Sequence, residues 1–226
     1  MGAPPPGLER AARLQQASAA STEAARKVLS WLASNLVHRG WLSSIDKLSG
    51  QIHEQTELPV DVVQQAVAAL TASGLLELDG DRIATVAGLF ATRSTGIDFA
   101  LADGHTVHLI DPLAALAASV ALQTSGEVRA QCPISGQRLV LECDSSGVAS
   151  RAPETVCAFL GGLRDGLPVA GALLADDDAL AAWQEQAGDP PGTPLTSFLF
   201  PMAAGDLGQE FGRALEPSLS LLPDFA

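Results

Sequence analysis

Two residues that can do chemistry, a thiol and a carboxylate, stand at the ends of predicted elements in the second half of the chain. Cys132 ends a predicted strand, and Asp111 lies just before Pro112 at the predicted start of a helix. A thiolate can act as a nucleophile or bind a soft metal, whereas a carboxylate can move a proton or bind a hard metal. Both also have structural interpretations, because free cysteines are commonly small buried residues and aspartate is a preferred N-cap.

The position of Asp111 limits its chemistry. Aspartate at an N-cap followed by Pro112 at the first helical position is a strong signal for a helix start. A helix N-terminus favours the charged carboxylate. Asp111 is therefore better suited to be a ligand or a general base than a general acid.

The other two cysteines are predicted to be structural. If the chain turns at Ile134 to Gln137, Cys132 faces Leu139, and Cys143 then lies about 13 Å away along the strand. That distance is too long for the two sulfurs to share a metal ion. Cys157 falls in an apolar run and is predicted to belong to the core.

The histidines and an acidic run give no metal-site pattern. His105 and His108 are three residues apart in a predicted strand, so their side chains point to opposite faces. His38 and His53 fall on predicted helices as surface residues. The run Asp176 to Asp178 is interpreted as a solvated helix cap, with a divalent-cation site as the weaker alternative.

Charge and composition exclude some classes of partner. The chain of 226 residues has a formal net charge of −13, and its apolar content of 47% is enough for a sizeable core. A surface this acidic repels nucleic acid and anionic membranes. The N-terminal segment is Pro-rich rather than an apolar signal, and three cysteines is an odd number. These features predict a cytoplasmic protein with reduced thiols, and the Ala-rich, Lys-poor composition favours a bacterial source.

The first half of the chain predicts a helical unit. We expect residues 1–20 to form a flexible terminus with a short helix from Leu8 to Ala17, and residues 21–90 to form a winged-helix-like domain. Its expected elements are a helix closed by Gly40, two further helices and the hairpin around Asp79-Gly80. Residues 43–83 carry two basic and seven acidic side chains. That balance opposes DNA binding, so we interpret the unit as a structural or dimerising module.

The second half, residues 91–226, predicts a domain of sheet and helices. Two hairpins are expected to flank the helix that starts at Asp111. A buried strand is predicted from Leu167 to Leu174, another from Thr196 to Phe200, and a final helix from Ala203 to Leu215. The fold class is therefore α+β, with an N-terminal winged-helix-like unit packed on a mixed β-sheet domain.

Three short motifs in this order give a resemblance to a known family. The segment Asp206 to Phe211 resembles the Gly-Gln-Glu-Phe stretch of the last helix in the alkylmercury (organomercurial) lyases. Cys132 followed by Gly136, after a hairpin and a helix, is a second match, and Trp183 downstream of a buried strand is a third. The similarity spans roughly residues 25–216 and depends on the order of the motifs.

The resemblance implies a site that this chain has partly lost. Such lyases use two cysteines and an acid to protonate a carbon–mercury bond. One family cysteine matches Cys132, and the other falls near Pro168, where this chain has no cysteine. An auxiliary cysteine is replaced by Asp111, and the family's acid falls on Ala114. Because a soft metal needs soft ligands, the resemblance implies weak or absent organomercurial cleavage.

We predict a divergent relative that acts on, or binds, a small organic molecule. The expected pocket is bounded by Phe99, Asp111, Cys132 and Pro168, with Asp111 and Cys132 as the catalytic residues of a lyase or proton-transfer reaction. The alternatives are a non-catalytic binder of a metal or small ligand, and a winged-helix regulator. No cofactor is assigned, although a thiophilic or divalent metal is left open, with Cys132 as one ligand. The expected partner is a small molecule, with no nucleic acid and no membrane, and a homodimer is left open.

Overall fold

Seven helices are described in a computed structural model of the chain, which covers residues 7–164 and 167–219. The helices are α1 (Glu9–Ala20), α2 (Glu23–Arg39), α3 (Ile45–Thr56), α4 (Val60–Ala72), α5 (Pro112–Leu122), α6 (Asp177–Gln186) and α7 (Phe200–Leu219).

Thirteen strands accompany the helices in the described ranges. They are β1 (Leu76–Asp79), β2 (Arg82–Val86), β3 (Phe90–Ala91), β4 (Ile97–Leu101), β5 (Thr106–Leu109), β6 (Gly126–Gln131), β7 (Arg138–Asp144), β8 (Gly147–Ala152), β9 (Cys157–Gly161), β10 (Leu163–Arg164), β11 (Leu167–Pro168), β12 (Ala172–Leu174) and β13 (Gly192–Leu195).

One eight-stranded sheet runs through most of the molecule. Its strand order is β1-β2-β3-β5-β4-β6-β7-β8, so the hairpin β1–β2 of the N-terminal half is continuous with the strands that follow. A three-stranded sheet, β12-β9-β13, and the short pair β10-β11 complete the β-structure. The α+β prediction is confirmed, and every described strand pairing is antiparallel.

Helix α5 is the central element of the core. Ten of its residues are buried, which explains why its sequence is a nearly continuous run of Ala, Leu and Val. It lies between strands of the large sheet and helix α7. A β-carbon on Gly208 of α7 would lie 2.4 Å from the carbonyl oxygen of Leu116, and one on Gly212 would lie 2.6 Å from Val120. The two glycines therefore let the helices approach closely.

The N-terminal helices and hairpin follow in the predicted order. Helix α2 is capped by Thr22, and it ends at Gly40 as predicted, where the positive φ of 72° suits glycine. The short helix predicted near the N-terminus is α1, and Ser18 in it shares a 2.7 Å hydrogen bond with Ser218 of α7. No helix in the described ranges is long and apolar enough to cross a membrane.

The strand predictions after residue 160 need correction. The predicted strand from Leu167 to Leu174 is two short strands, β11 and β12. Thr196 to Phe200 is a turn that leads into α7 rather than a strand. The strand lies just upstream, at Gly192–Leu195. A β-carbon on Gly192 would meet the ring of Phe159 at 2.4 Å, and one on Gly161 would meet the carbonyl oxygen of Val169 at 1.9 Å. Glycines allow this close packing of backbones and at the same time remove the apolar alternation by which strands are predicted.

Candidate functional site

Asp111 is held by two partners at the start of helix α5. Its Oδ1 accepts a 2.8 Å hydrogen bond from the backbone N–H of Ala114, which is the predicted N-cap. Its Oδ2 pairs with Nη1 of Arg10, from helix α1. Nη2 of Arg10 donates to the carbonyl oxygen of Gly88 at 2.7 Å. The carboxylate is therefore fixed in place, and its charge is balanced by a guanidinium from the N-terminal segment.

A cleft of about 410 Å³ opens beside this ion pair. This volume lies within the range of small-molecule sites. Its polar lining consists of Arg10, Glu77, Thr85, Thr95 and Asp111, and its apolar lining consists of Ile97, Ile110, Val169, Ala170 and Gly171. The cleft thus combines a few converging polar groups with an apolar wall, as expected of a ligand site.

Five parts of the chain build the cleft: helix α1, the β1–β2 hairpin, residues 95–97, residues 110–111 and residues 169–171. Glu77 and Thr85 are opposite one another in the β1–β2 ladder. The segment Val169 to Gly171 forms another side, and it lies close to α5 because a β-carbon on Gly171 would be 2.8 Å from Cδ of Pro112. The cleft therefore joins two positions implied by the family resemblance, Asp111 and the chain just after Pro168.

Cys132 lies in a different environment. It follows β6 and is 1% exposed. Its backbone N–H donates to the carbonyl oxygen of Gln137. The prediction that Cys132 lies opposite Leu139 is therefore wrong, since Ala130 occupies that position. Its Sγ accepts a hydrogen bond from the backbone N–H of Ser135 at 3.5 Å. Burial raises the pKa of the thiol, but hydrogen bonds from Ser135 and from the backbone of Ala175 and Ile134 outweigh it, so the pKa lies below its ordinary value.

Cys157 lies near enough to Cys132 for their charges to interact. Its pKa is raised to about 12, mainly by burial, then by the negative charges of Asp177 and Asp176, and also by a thiolate at Cys132. The Cys157 thiol donates to the carbonyl oxygen of Asp176 at 3.1 Å. Cys157 belongs to the core, as predicted. The sequence did not predict that it lies close to Cys132.

Cys143 is separate from this pair. It is buried opposite Gly126 in the β6–β7 ladder, and burial raises the pKa of its thiol to about 12. The prediction that it lies too far along the strand to join Cys132 is consistent with this register.

The thiol pair and the cleft lie toward opposite ends of strand β12. Gly171, just before this strand, lines the cleft, whereas the N–H of Ala175, just after it, bonds to the sulfur of Cys132. Four residue steps of extended chain span about 13 Å. In the described part of the chain, no cysteine is found in the cleft lining.

The remaining predicted site residues are placed as follows. Phe99 is fully buried, with its ring beneath Gly126, and so lies in the core rather than at the cleft. Pro168 lies in β11 opposite Leu163, and its side chain is outside the described structure. Ala114, at the position of the family's acid, is fully buried and supplies only its N–H to Asp111.

One potential metal-binding cluster was not predicted from the sequence. It consists of His38, Asp103 and His105, and one ligand atom of each residue lies within 4.8 Å of the other two. Hydrogen bonding from the backbone N–H of His105 lowers the pKa of Asp103. His108 instead pairs with Asp98, with Nδ1 and Oδ1 2.6 Å apart. Only tertiary packing brings His38 to the β4–β5 turn, so no local spacing could have revealed the cluster.

Comparison with known proteins supports the fold alone. No family model matches the chain, and no curated protein matches it. Its structure is similar to the crystal structure of the mercury-bound form of MerB2, an alkylmercury lyase, with a TM-score of 0.67 and 15% sequence identity. The match covers 92% of this chain and 98% of the MerB2 chain. The protein therefore has a MerB-like fold, and its chemistry depends on its own side chains.

Proposed function

We propose that this protein binds and acts on a small organic molecule in the cleft beside Asp111. The observation that carries the proposal is the Arg10–Asp111 ion pair, whose side chains are 26% and 25% exposed on the wall of a 410 Å³ cleft. A charged pair that is only partly solvated is costly unless its geometry is good. Such groups commonly orient a ligand in an otherwise apolar site.

Asp111 would act as a proton acceptor or an anchor in this proposal. Both of its carboxylate oxygens are positioned by other groups, Oδ1 by the N–H of Ala114 and Oδ2 by the guanidinium of Arg10. The cleft carries two carboxylates, Glu77 and Asp111, against one guanidinium. That balance favours a neutral or cationic organic molecule over an anion. Proton transfer to Asp111 from the bound molecule is the simplest reaction that these groups support.

Organomercurial cleavage is proposed to be weak or absent. The cleft lining, as far as it is described, offers oxygen and nitrogen groups, whereas mercury requires thiolates. The thiols Cys132 and Cys157 lie toward the other end of β12, and Cys157 stays protonated because its pKa is raised to about 12. We also propose a bacterial cytosol as the location, since all three cysteines are free.

A fluorinated fragment set of amines, neutral amides and carboxylic acids tests the cleft by ¹⁹F NMR. We expect amines and amides to bind and carboxylic acids to bind less well. Ala170→Phe should abolish this binding by filling the exposed mouth of the cleft, and Asp111→Asn should weaken binding of the amines most. Ala68→Phe, an exposed alanine on α4, is the matched control. Equal fragment binding in the wild type and Ala170→Phe would refute the site.

A second candidate function is soft-metal binding by the thiol pair. It is favoured by the contacts of the two buried sulfurs with neighbouring residues of one segment: Sγ of Cys157 donates to the carbonyl oxygen of Asp176, and the backbone of Ala175 bonds to Sγ of Cys132. Two thiols are the ligands that a soft metal prefers, and binding would release the proton of Cys157. This function corresponds to the non-catalytic alternative predicted from the sequence.

Titration with inorganic Hg²⁺ in competition with a monothiol tests this second function. Cys157→Ser should weaken Hg²⁺ binding by at least about tenfold, because one of two soft ligands is lost. Cys143→Ser should leave binding unchanged, since Cys143 lies elsewhere on the sheet. Unchanged affinity in Cys157→Ser would show that the two sulfurs do not act together.

A further inference from the structure

We infer that His38, Asp103 and His105 form a binding site for a divalent transition-metal ion. His38 lies in the last turn of α2, and the other two residues lie in the turn between β4 and β5. One ligand atom from each residue lies within 4.8 Å of the other two. The cluster lies outside the Asp111 cleft and the thiol pair.

The local geometry already orients the three side chains toward one another. The backbone N–H of His105 donates to Oδ1 of Asp103 at 2.9 Å, which fixes the carboxylate over the turn. Nδ1 of His105 lies 3.1 Å from Oδ2 of Asp103. The rings of His38 and His105 meet edge to face, with centroids 5.3 Å apart. Two elements that are distant in sequence thus present imidazoles to one carboxylate.

These distances are close to those that a bound ion requires. Zinc bonds to nitrogen and oxygen at about 2.0–2.2 Å, so tetrahedral ligands lie about 3.4 Å apart. The ligand atoms need to move together by at most about 1.4 Å, which rotation of partly exposed side chains provides on a fast timescale. The side chains of His105 and Asp103 are 45% and 48% exposed, which leaves room for water to complete the coordination.

The ligand set selects the class of ion. Two imidazoles and one carboxylate suit Zn²⁺, Ni²⁺ or Co²⁺. Mg²⁺ and Ca²⁺ prefer sites made entirely of oxygen ligands. Because the ion would bridge the end of α2 and the β4–β5 turn, it would join the N-terminal helical unit to the sheet. Binding to the folded state alone would raise the melting temperature.

Calorimetric titration with Zn²⁺, together with imidazole NMR, tests the site. We expect the His38 and His105 ring signals to shift on adding Zn²⁺, while those of His53 and His108 stay in place. His105→Gln and Asp103→Asn should each weaken Zn²⁺ binding at this site by at least about tenfold. Asn at 103 keeps an oxygen for the His105 N–H, so that the turn is preserved. His53→Ala is the matched control and should bind as the wild type does.

The absorption spectrum of bound Co²⁺ distinguishes metal binding at the thiols from metal binding at the histidines. Thiolate ligands give an intense near-ultraviolet charge-transfer band, which His and Asp ligands do not. We expect Co²⁺ d–d bands that persist in Cys132→Ser/Cys157→Ser and disappear when His105→Gln is added to that variant. It is overturned if the His38 and His105 signals do not respond to Zn²⁺, or if His105→Gln binds Zn²⁺ as tightly as the wild type.

Discussion

At the scale of single residues, the pKa values of the three buried thiols differ in direction because their surroundings differ: one is lowered and two are raised. Hydrogen bonds from Ser135 and from the backbone of Ala175 and Ile134 lower the pKa of Cys132 against the effect of burial. Cys143 and Cys157 lack enough such donors, and burial raises the pKa of each to about 12. At neutral pH, therefore, Cys132 is the cysteine that most readily forms a thiolate.

The pH dependence of alkylation tests this difference. A lowered pKa means that the Cys132 thiolate persists to lower pH than that of a free cysteine, so the midpoint of its iodoacetamide rate profile should lie at lower pH than that of a free cysteine. The rates at Cys143 and Cys157 should keep rising well beyond that midpoint, since their pKa values lie near 12. Mass spectrometry of each peptide over time provides the rates. Identical pH profiles at all three sites would contradict the assignment.

Ser135→Ala isolates the cause of the low pKa at Cys132. Its hydroxyl hydrogen bond is lost while the backbone N–H remains, so the midpoint of the Cys132 profile should move to higher pH. Ser146→Ala, which removes an exposed serine bonded to Asp144, is the control and should leave the midpoint in place.

Substitutions at Asp111 separate its capping role from its charge. Asp111→Ala should lower the free energy of unfolding by about 1 kcal/mol more than Asp111→Asn, because Asn still caps α5. Asp111→Asn loses the pairing with Arg10, which is worth about 1 kcal/mol or less for a pair that is partly exposed to solvent. Urea unfolding followed by tryptophan fluorescence provides both values. Equal costs would show that the cap contributes nothing.

At the scale of elements, the contact between α5 and α7 depends on glycine. Gly208→Ala should destabilise the fold by about 1–3 kcal/mol, since its β-carbon would meet a backbone oxygen that cannot move alone. Gly205→Ala, in the same helix with nothing within 4 Å, should stabilise it by about 1 kcal/mol through helix propensity. Thermal melting of the two variants compares them. The prediction fails if both glycines respond in the same direction.

Some elements could be predicted because their signals are local. Asp111 and Pro112 predict the start of α5. Gly40 predicts the end of α2, where it adopts the left-handed conformation. The strands around Gly161 and Gly192 could not be predicted, since these glycines serve contacts between distant backbones rather than an alternating pattern.

The candidate site could be predicted only in part for the same reason. Asp111 was identified from its local context, whereas its partner Arg10 is 101 residues away in sequence and has no periodic signal. The proximity of Cys157 to Cys132 likewise depends on how β12, which pairs with β9, packs beside β6, and sequence spacing does not encode this packing.

At the scale of the whole molecule, the net charge of −13 predicts no affinity for DNA. The sequence of residues 21–90 predicts a winged-helix-like unit, yet residues 43–83 carry seven acids against two bases. A fluorescent duplex should show no mobility shift with this protein even at low ionic strength. A salt-sensitive shift would instead support the regulator alternative.

The MerB-like fold has a cleft that contains a carboxylate–guanidinium pair and, in its described lining, no thiol. The most direct test of a cleft without mercury chemistry is to incubate the protein with phenylmercury and excess thiol and to measure the release of inorganic mercury. We predict a release rate no greater than that with thiol alone, and no change in Asp111→Asn. Sustained catalytic release that is lost in Cys132→Ser or Asp111→Asn would contradict this prediction.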